Sequence, residues 1–160
     1  MFPDETPEDR DIVVMSRRQL INYSSTLLEL KHPTTIISIR NSTEQPWSID
    51  LGSTAHSIHR FIFDDLERGE EKFGVPITDD IAKSIWQTAK EAHIRGDHII
   101  VQCTAGVSRS AGIAASLMRA FFDDDSHIFD NPRYVPNMSC YEAVLEQAIN
   151  DKEGLTTSLK

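Results

Sequence analysis

The chain has 160 residues, 39% of them hydrophobic, and a formal net charge of −9. That length suits one globular domain with a real core, and so acidic a chain is a poor match for nucleic acid or for an anionic membrane surface. No run approaches the ~20 apolar residues of a membrane span, and Met1-Phe2-Pro3-Asp4-Glu5 lacks the apolar core of a secretory signal.

Residues 1–11 set Asp4, Glu5, Glu8, Asp9 and Asp11 against Arg10. They read as a solvated, disordered lead-in to a single domain over 12–150, with a tail over 151–160. Ile12–Met15 reads as a buried strand, followed by a helix over Ser16–Tyr23. Thr34–Ile39, rich in β-branched residues, is a second strand. Residues 41–57 form a long polar connection in which Trp47 is a packing anchor. Ile58–Phe63 is a third strand running into Asp64-Asp65, and 67–77, with Gly69, Gly74 and Pro76, is a loop. Thr78 then caps a helix that carries Ile81, Ile85, Ala89 and Ala92 on one face and stops at Gly96.

His98–Gln102 is the fourth strand. Residues 110–122, small or apolar nearly all round, form a buried helix. The segment 123–137 is a loop, and Ser139-x-x-Glu142 is a capping-box pattern for a last helix with Cys140, Val144 and Ala148 on one face. Strands alternating with helices predict an α/β fold, with a central, mainly parallel sheet of four to five strands flanked by helices. Ligands in such sheets sit at the carboxyl ends of the strands.

The fourth strand ends in Cys103-Thr104-Ala105-Gly106-Val107-Ser108-Arg109, with Ser110 opening the next helix. A short loop feeding a helix can turn the amides of residues 104–109 toward one point and bind an anion there. The same field favours thiolate, the nucleophilic form, over thiol. Gly106 allows backbone angles that a Cβ would forbid. Arg109 offers a planar fork for two oxygens of a tetrahedral anion, and Ser110 can donate a hydrogen bond to sulfur as it leaves. Thr104, Ala105, Gly106, Val107, Ser108 and Arg109 are thus the expected phosphate-binding residues. A small buried hydrophobe, the commonest fate of a free cysteine, would leave Arg109 and this junction unexplained. A disulfide between the only two cysteines, Cys103 and Cys140, would destroy the nucleophile. A reducing, cytoplasmic compartment is therefore expected.

This segment resembles the Cys-x5-Arg-Ser/Thr signature of the cysteine-based protein tyrosine phosphatases, and the form Cys-x-x-Gly-x-Ser-Arg-Ser is closest to the dual-specificity-like branch. The resemblance implies the phosphatase fold and a phospho-cysteine intermediate. It implies hydrolysis of phosphotyrosine, with phosphoserine or phosphothreonine as further substrates, and no cofactor. The family usually has His before the cysteine, where this chain has Gln102. Family members acting on phosphoinositides usually place lysines in the loop. The uncharged Thr104, Ala105, Val107 and Ser108 point instead to phosphoprotein substrates.

Protonating the leaving oxygen calls for a carboxylic acid, worth about 10²–10⁴ in rate. Asp64 and Asp65 end a strand expected to be parallel to the signature strand, so both emerge on its edge. The family carries an aspartate on a movable loop upstream of the cysteine. The hydrophobic-x-Asp-hydrophobic pattern of Phe63-Asp64-Asp65-Leu66 resembles related bacterial-type sequences and favours Asp65. The catalytic set expected is Cys103, Arg109, Asp65 and Ser110. Pro136-Asn137 resembles a dual-specificity Pro-Asn whose side chain buttresses the loop, and an ordinary turn and cap reads equally well. Cys140 is expected to be a structural thiol, and Asp123-Asp124-Asp125 a solvated turn. The six histidines have no metal-ligand spacing, so no metal site is expected. Two other functions fit the loop: a rhodanese-like sulfur transferase, and a phosphate-binding module with weak catalysis.

Overall fold

The computed structural model describes residues 12–29, 32–49 and 56–151. The expected acidic lead-in, and the tail beyond Asp151, lie outside them. Strands β1 (Ile12–Ser16), β2 (Thr34–Arg40), β3 (His56–Ile62) and β4 (His98–Cys103) form one four-stranded sheet in the order β1-β4-β2-β3, every pair parallel. The α/β expectation holds, with four strands.

Alternation along the strands splits the core between two faces. Ile12, Val14, Ile37, Ile39, Ile99, Val101 and Cys103 join the larger cluster. Helices α2 (Asp79–Arg95), α3 (Arg109–Phe122) and α5 (Met138–Asn150) contribute to that cluster. Met15, Ile36 and Ile100 face the other way, packing with Leu20 of α1 (Arg17–Glu29) and with Tyr23, Trp47, Ile49 and Ile58. Trp47 is thus the packing anchor expected. The guanidinium groups of Arg17 and Arg60 lie 5.1 and 5.0 Å from its ring centroid.

Helix α2 has the predicted ends: Thr78 Oγ1 accepts from Ile81 N–H at 3.2 Å, and Gly96 closes it at φ 82°. Helix α3 is buried on nearly every residue, as its composition required. Four local expectations need correction. Helix α1 continues to Glu29 rather than ending at Tyr23. The loop 67–77 contains a 3-10 turn, Glu71–Phe73, and the loop 123–137 contains a one-turn helix, α4 (Ser126–Phe129). The N-cap of α5 is Asn137, whose side chain accepts from Cys140 N–H at 2.9 Å. Ser139 sits inside the helix and donates its hydroxyl to Glu67, while Glu142 pairs with Arg68. A carboxylate and a guanidinium from elsewhere in the fold have taken the two capping-box residues.

Because the sheet is parallel, Ser16, Arg40, Ile62 and Cys103 all end at one edge. That edge carries the site.

Candidate active site

Cys103 closes β4 with 2% of its surface exposed, and its Sγ lies 3.0 Å from the Ser110 hydroxyl. Gly106 turns the following loop at φ 69°. A Cβ there would sit 2.6 Å from the Ser16 nitrogen, so only glycine lets the loop press against the end of β1. The loop is tied on both flanks: Arg17 N–H donates to Thr104 O, and Val135 and Asn137 N–H donate to Val107 and Ser108 O.

Arg109, 4% exposed, opens α3 and sends Nη1 to the carbonyl of Phe63 at 2.7 Å. Among the described residues its Nε is buried with no hydrogen-bond partner. A buried charged donor without a partner costs about 1–3 kcal/mol, so it points to a ligand.

The two neighbouring aspartates have different surroundings. Asp64 accepts from Ser42 N–H (2.8 Å), Ser42 Oγ (2.7 Å) and Val75 N–H (2.8 Å). Burial opposes its ionisation, but those hydrogen bonds and the Arg109 charge outweigh burial and hold its carboxyl below the ordinary aspartate range. Asp64 is therefore a fixed carboxylate bracing the two ends of its own loop. Asp65 faces the signature loop: its Oδ1 accepts from Ser108 Oγ and Asn137 Nδ2, both at 2.8 Å. Asn137 also donates to Leu66 O at 3.0 Å. The cap reading holds, while the side chain steadies the Asp65 segment rather than the signature loop, which Asn137 reaches only through its backbone N–H to Ser108 O.

Three contributors were not foreseen. Glu67 accepts from Met138 N–H (2.8 Å), Ser139 N–H (2.9 Å) and Ser139 Oγ (2.9 Å), clasping the Asp65 loop to the start of α5. Glu44 accepts from Thr104 Oγ1 at 2.7 Å and pairs with Arg17 at 3.4 Å. Gly112 lets α3 approach the 136–138 segment, since a Cβ there would collide with the Asn137 carbonyl oxygen. Only Gly112 had a sequence signal, as a glycine inside an otherwise strong helix.

Gln102 is buried and accepts from Ser38 Oγ of β2 at 2.5 Å. This residue and Ser38 form a neutral pair across two strands. Cys140 is buried beside Val144 and Ala148, and burial, reinforced by Asp65, pushes its thiol far above the usual range. The run Asp123-Asp124-Asp125 is taken up locally, by Arg119, Ser126 N–H and the Tyr141 hydroxyl. Among the described residues, no helix is long and apolar enough to cross a membrane.

No family model and no curated protein matches the sequence. Solved structures do match in shape. A human tyrosine phosphatase-like serine/threonine/tyrosine-interacting protein shares 15% identity at TM-score 0.65, over 88% of this chain and 93% of that one. PTPMT1 in complex with PI(5)P shares 16% at TM-score 0.56, over 92% of each chain. A mouse putative dual specificity phosphatase complexed with zinc tungstate shares 13% at TM-score 0.58, over 91% and 87%. The chain has the fold of the cysteine-based protein tyrosine phosphatases, of the compact dual-specificity-like kind.

Proposed function

We propose that the chain is a phosphoprotein phosphatase that hydrolyses phosphotyrosine, and phosphoserine or phosphothreonine where they reach the cleft, through a phospho-cysteine intermediate. The observation that carries this reading is the pairing of two buried groups on one loop: the Cys103 thiol against Ser110, and the Arg109 guanidinium with an unpartnered Nε.

In the first step the Cys103 thiolate attacks phosphorus and the P–O ester bond breaks. Arg109 and the amides of 104–109 hold the three equatorial oxygens. Asp65 supplies the proton to the leaving oxygen. With both Ser108 and Asn137 donating to Oδ1, the carboxyl is oriented and Oδ2 is left to carry that proton. In the second step the Asp65 carboxylate takes a proton from water, the water oxygen attacks phosphorus, and the S–P bond breaks. Ser110 donates to the departing sulfur, and inorganic phosphate is released. The uncharged loop positions Thr104, Ala105, Val107 and Ser108 support phosphoproteins over phosphoinositides.

Release of phosphate from an aryl phosphate and from a phosphotyrosine peptide tests the reading. Cys103→Ser should lower both rates by on the order of 10³ or more. Equal rates for wild type and Cys103→Ser would leave only a binding module. Turnover of thiosulfate without phosphate release would make the protein a sulfur transferase.

A further inference from the structure

Helix α1 begins with Arg17 and Arg18 and has no acidic residue in its first turn. Cations at a helix N-terminus oppose the macrodipole, by about 0.3–1 kcal/mol each. Helix α2 of the same chain follows the rule, with Asp79 and Asp80 in its first turn. The helix end itself is already satisfied: Ser16 Oγ accepts from Gln19 N–H at 3.0 Å, and Gln19 Oε1 accepts from Ser16 N–H at 2.8 Å. Arg17 is used by the fold through Trp47 and Glu44, but Arg18 beside it is held exposed against the macrodipole with no such return, in a chain of net charge −9. Such a local violation marks a place under functional constraint.

The two side chains line an open pocket of about 290 Å³ together with Ile21 and Thr104, the residue after the nucleophile. Arg17 is set in place from two sides, by the face of Trp47 and, among the described residues, by a single contact to Glu44, which leaves most of its five donors without a partner there. Arg18 is exposed and has no partner among the described residues. Thr104 belongs both to this pocket and to the catalytic loop, so the pocket adjoins the place of residues flanking one seated over Cys103.

We propose that Arg17 and Arg18 form a second anion subsite at the mouth of the catalytic loop, selecting phosphopeptides with Asp or Glu next to the phosphorylated residue. The proposal rests on the phosphatase reading for its substrate, and its binding arm stands without turnover. Two partly exposed charge contacts give about a fivefold to tenfold preference, expressed mainly in KM and fading with salt.

The test uses the full chain and paired phosphotyrosine peptides that differ only in Glu or Gln at the flanking positions. Wild type should prefer the Glu peptide fivefold to tenfold in kcat/KM. Arg18→Gln should remove most of that preference while leaving turnover of a small aryl phosphate unchanged, and Arg17→Gln/Arg18→Gln should remove it all. Dissociation constants of the same peptides for Cys103→Ser repeat the comparison without chemistry. A catalytically silent wild type that still prefers the Glu peptide would defeat the phosphatase reading and keep the subsite. Equal affinity for both peptides, or an unaltered preference in the double variant, overturns the subsite. Arginine-dependent binding to vesicles containing PI(5)P that exceeds binding to either peptide would also overturn it.

Discussion

Asn137 performs two tasks through different atoms, so substitutions can separate them. Asn137→Ala removes the N-cap of α5, worth about 1 kcal/mol, and the two donations to Asp65 and Leu66, worth about 0.5–1.5 kcal/mol each. The expected loss is about 2–4 kcal/mol, or roughly 4–16 °C in Tm for a domain of this size. Asn137→Asp keeps an oxygen for the Cys140 amide, because aspartate is as good an N-cap as asparagine. It also sets a second carboxylate against Asp65 where a donor stood at 2.8 Å. Its Tm should fall less than that of the alanine variant, yet Asp65 should lose its orientation. Leaving groups of different basicity report on the acid directly. Hydrolysis of a phosphotyrosine peptide should fall about 10–100-fold in Asn137→Asp, part of the ~10²–10⁴ that a positioned acid supplies. Hydrolysis of a dinitrophenyl phosphate, whose leaving group needs no proton, should stay within a few-fold of wild type. If both substrates slow equally, Asn137 does not act through Asp65. If the two variants melt alike, its cap does not stabilise α5.

Glu67→Ala should free the loop that carries Asp65 without touching the phosphate-binding residues. Three contacts to one carboxylate are lost, and amide exchange over residues 65–75 should accelerate about tenfold, with kcat falling more than KM rises; unchanged exchange would refute the clasp. His93 stacks on Phe121 with ring centroids 4.1 Å apart, and burial lowers its pKa from the usual 6.5. The unfolded chain therefore binds the proton more readily, so stability is fully present above pH 6.5 and is lost as pH falls through the depressed folded value. Melting temperatures between pH 8 and pH 5 should show this decline. His93→Gln should reduce it, leaving the part due to His98, which burial shifts the same way.

How far the chain could be read depended on sequence distance. The cysteine, glycine and arginine of 103–109 lie in one continuous segment, and the β-branched strands and the Thr78 cap are equally local, so sheet, helices and loop were legible. The pattern of Phe63-Asp64-Asp65-Leu66 favours Asp65, but the different surroundings of the two aspartates were not legible, because Ser42, Val75, Ser108 and Asn137 meet them only at the folded sheet edge. The capping box at Ser139-x-x-Glu142 misled for the same reason: Glu67 competes for Ser139 from across the fold. Asn137 could be singled out, but its two partners could not both be foreseen from a Pro-Asn pair.

The hydrogen bond from Arg109 to the Phe63 carbonyl makes the proposed phosphate-binding residue a strut as well. It joins the start of α3 to the chain just before the two aspartates, so the proposed anion site and proton donor share one mechanical mount. Lysine at 109 would keep the charge, but it has one nitrogen in place of a planar fork, and it must choose between Phe63 and the anion. A rate lost on that substitution would therefore measure the geometry between nucleophile and acid together with the charge. The guanidinium cannot be weighed as a separable catalytic group.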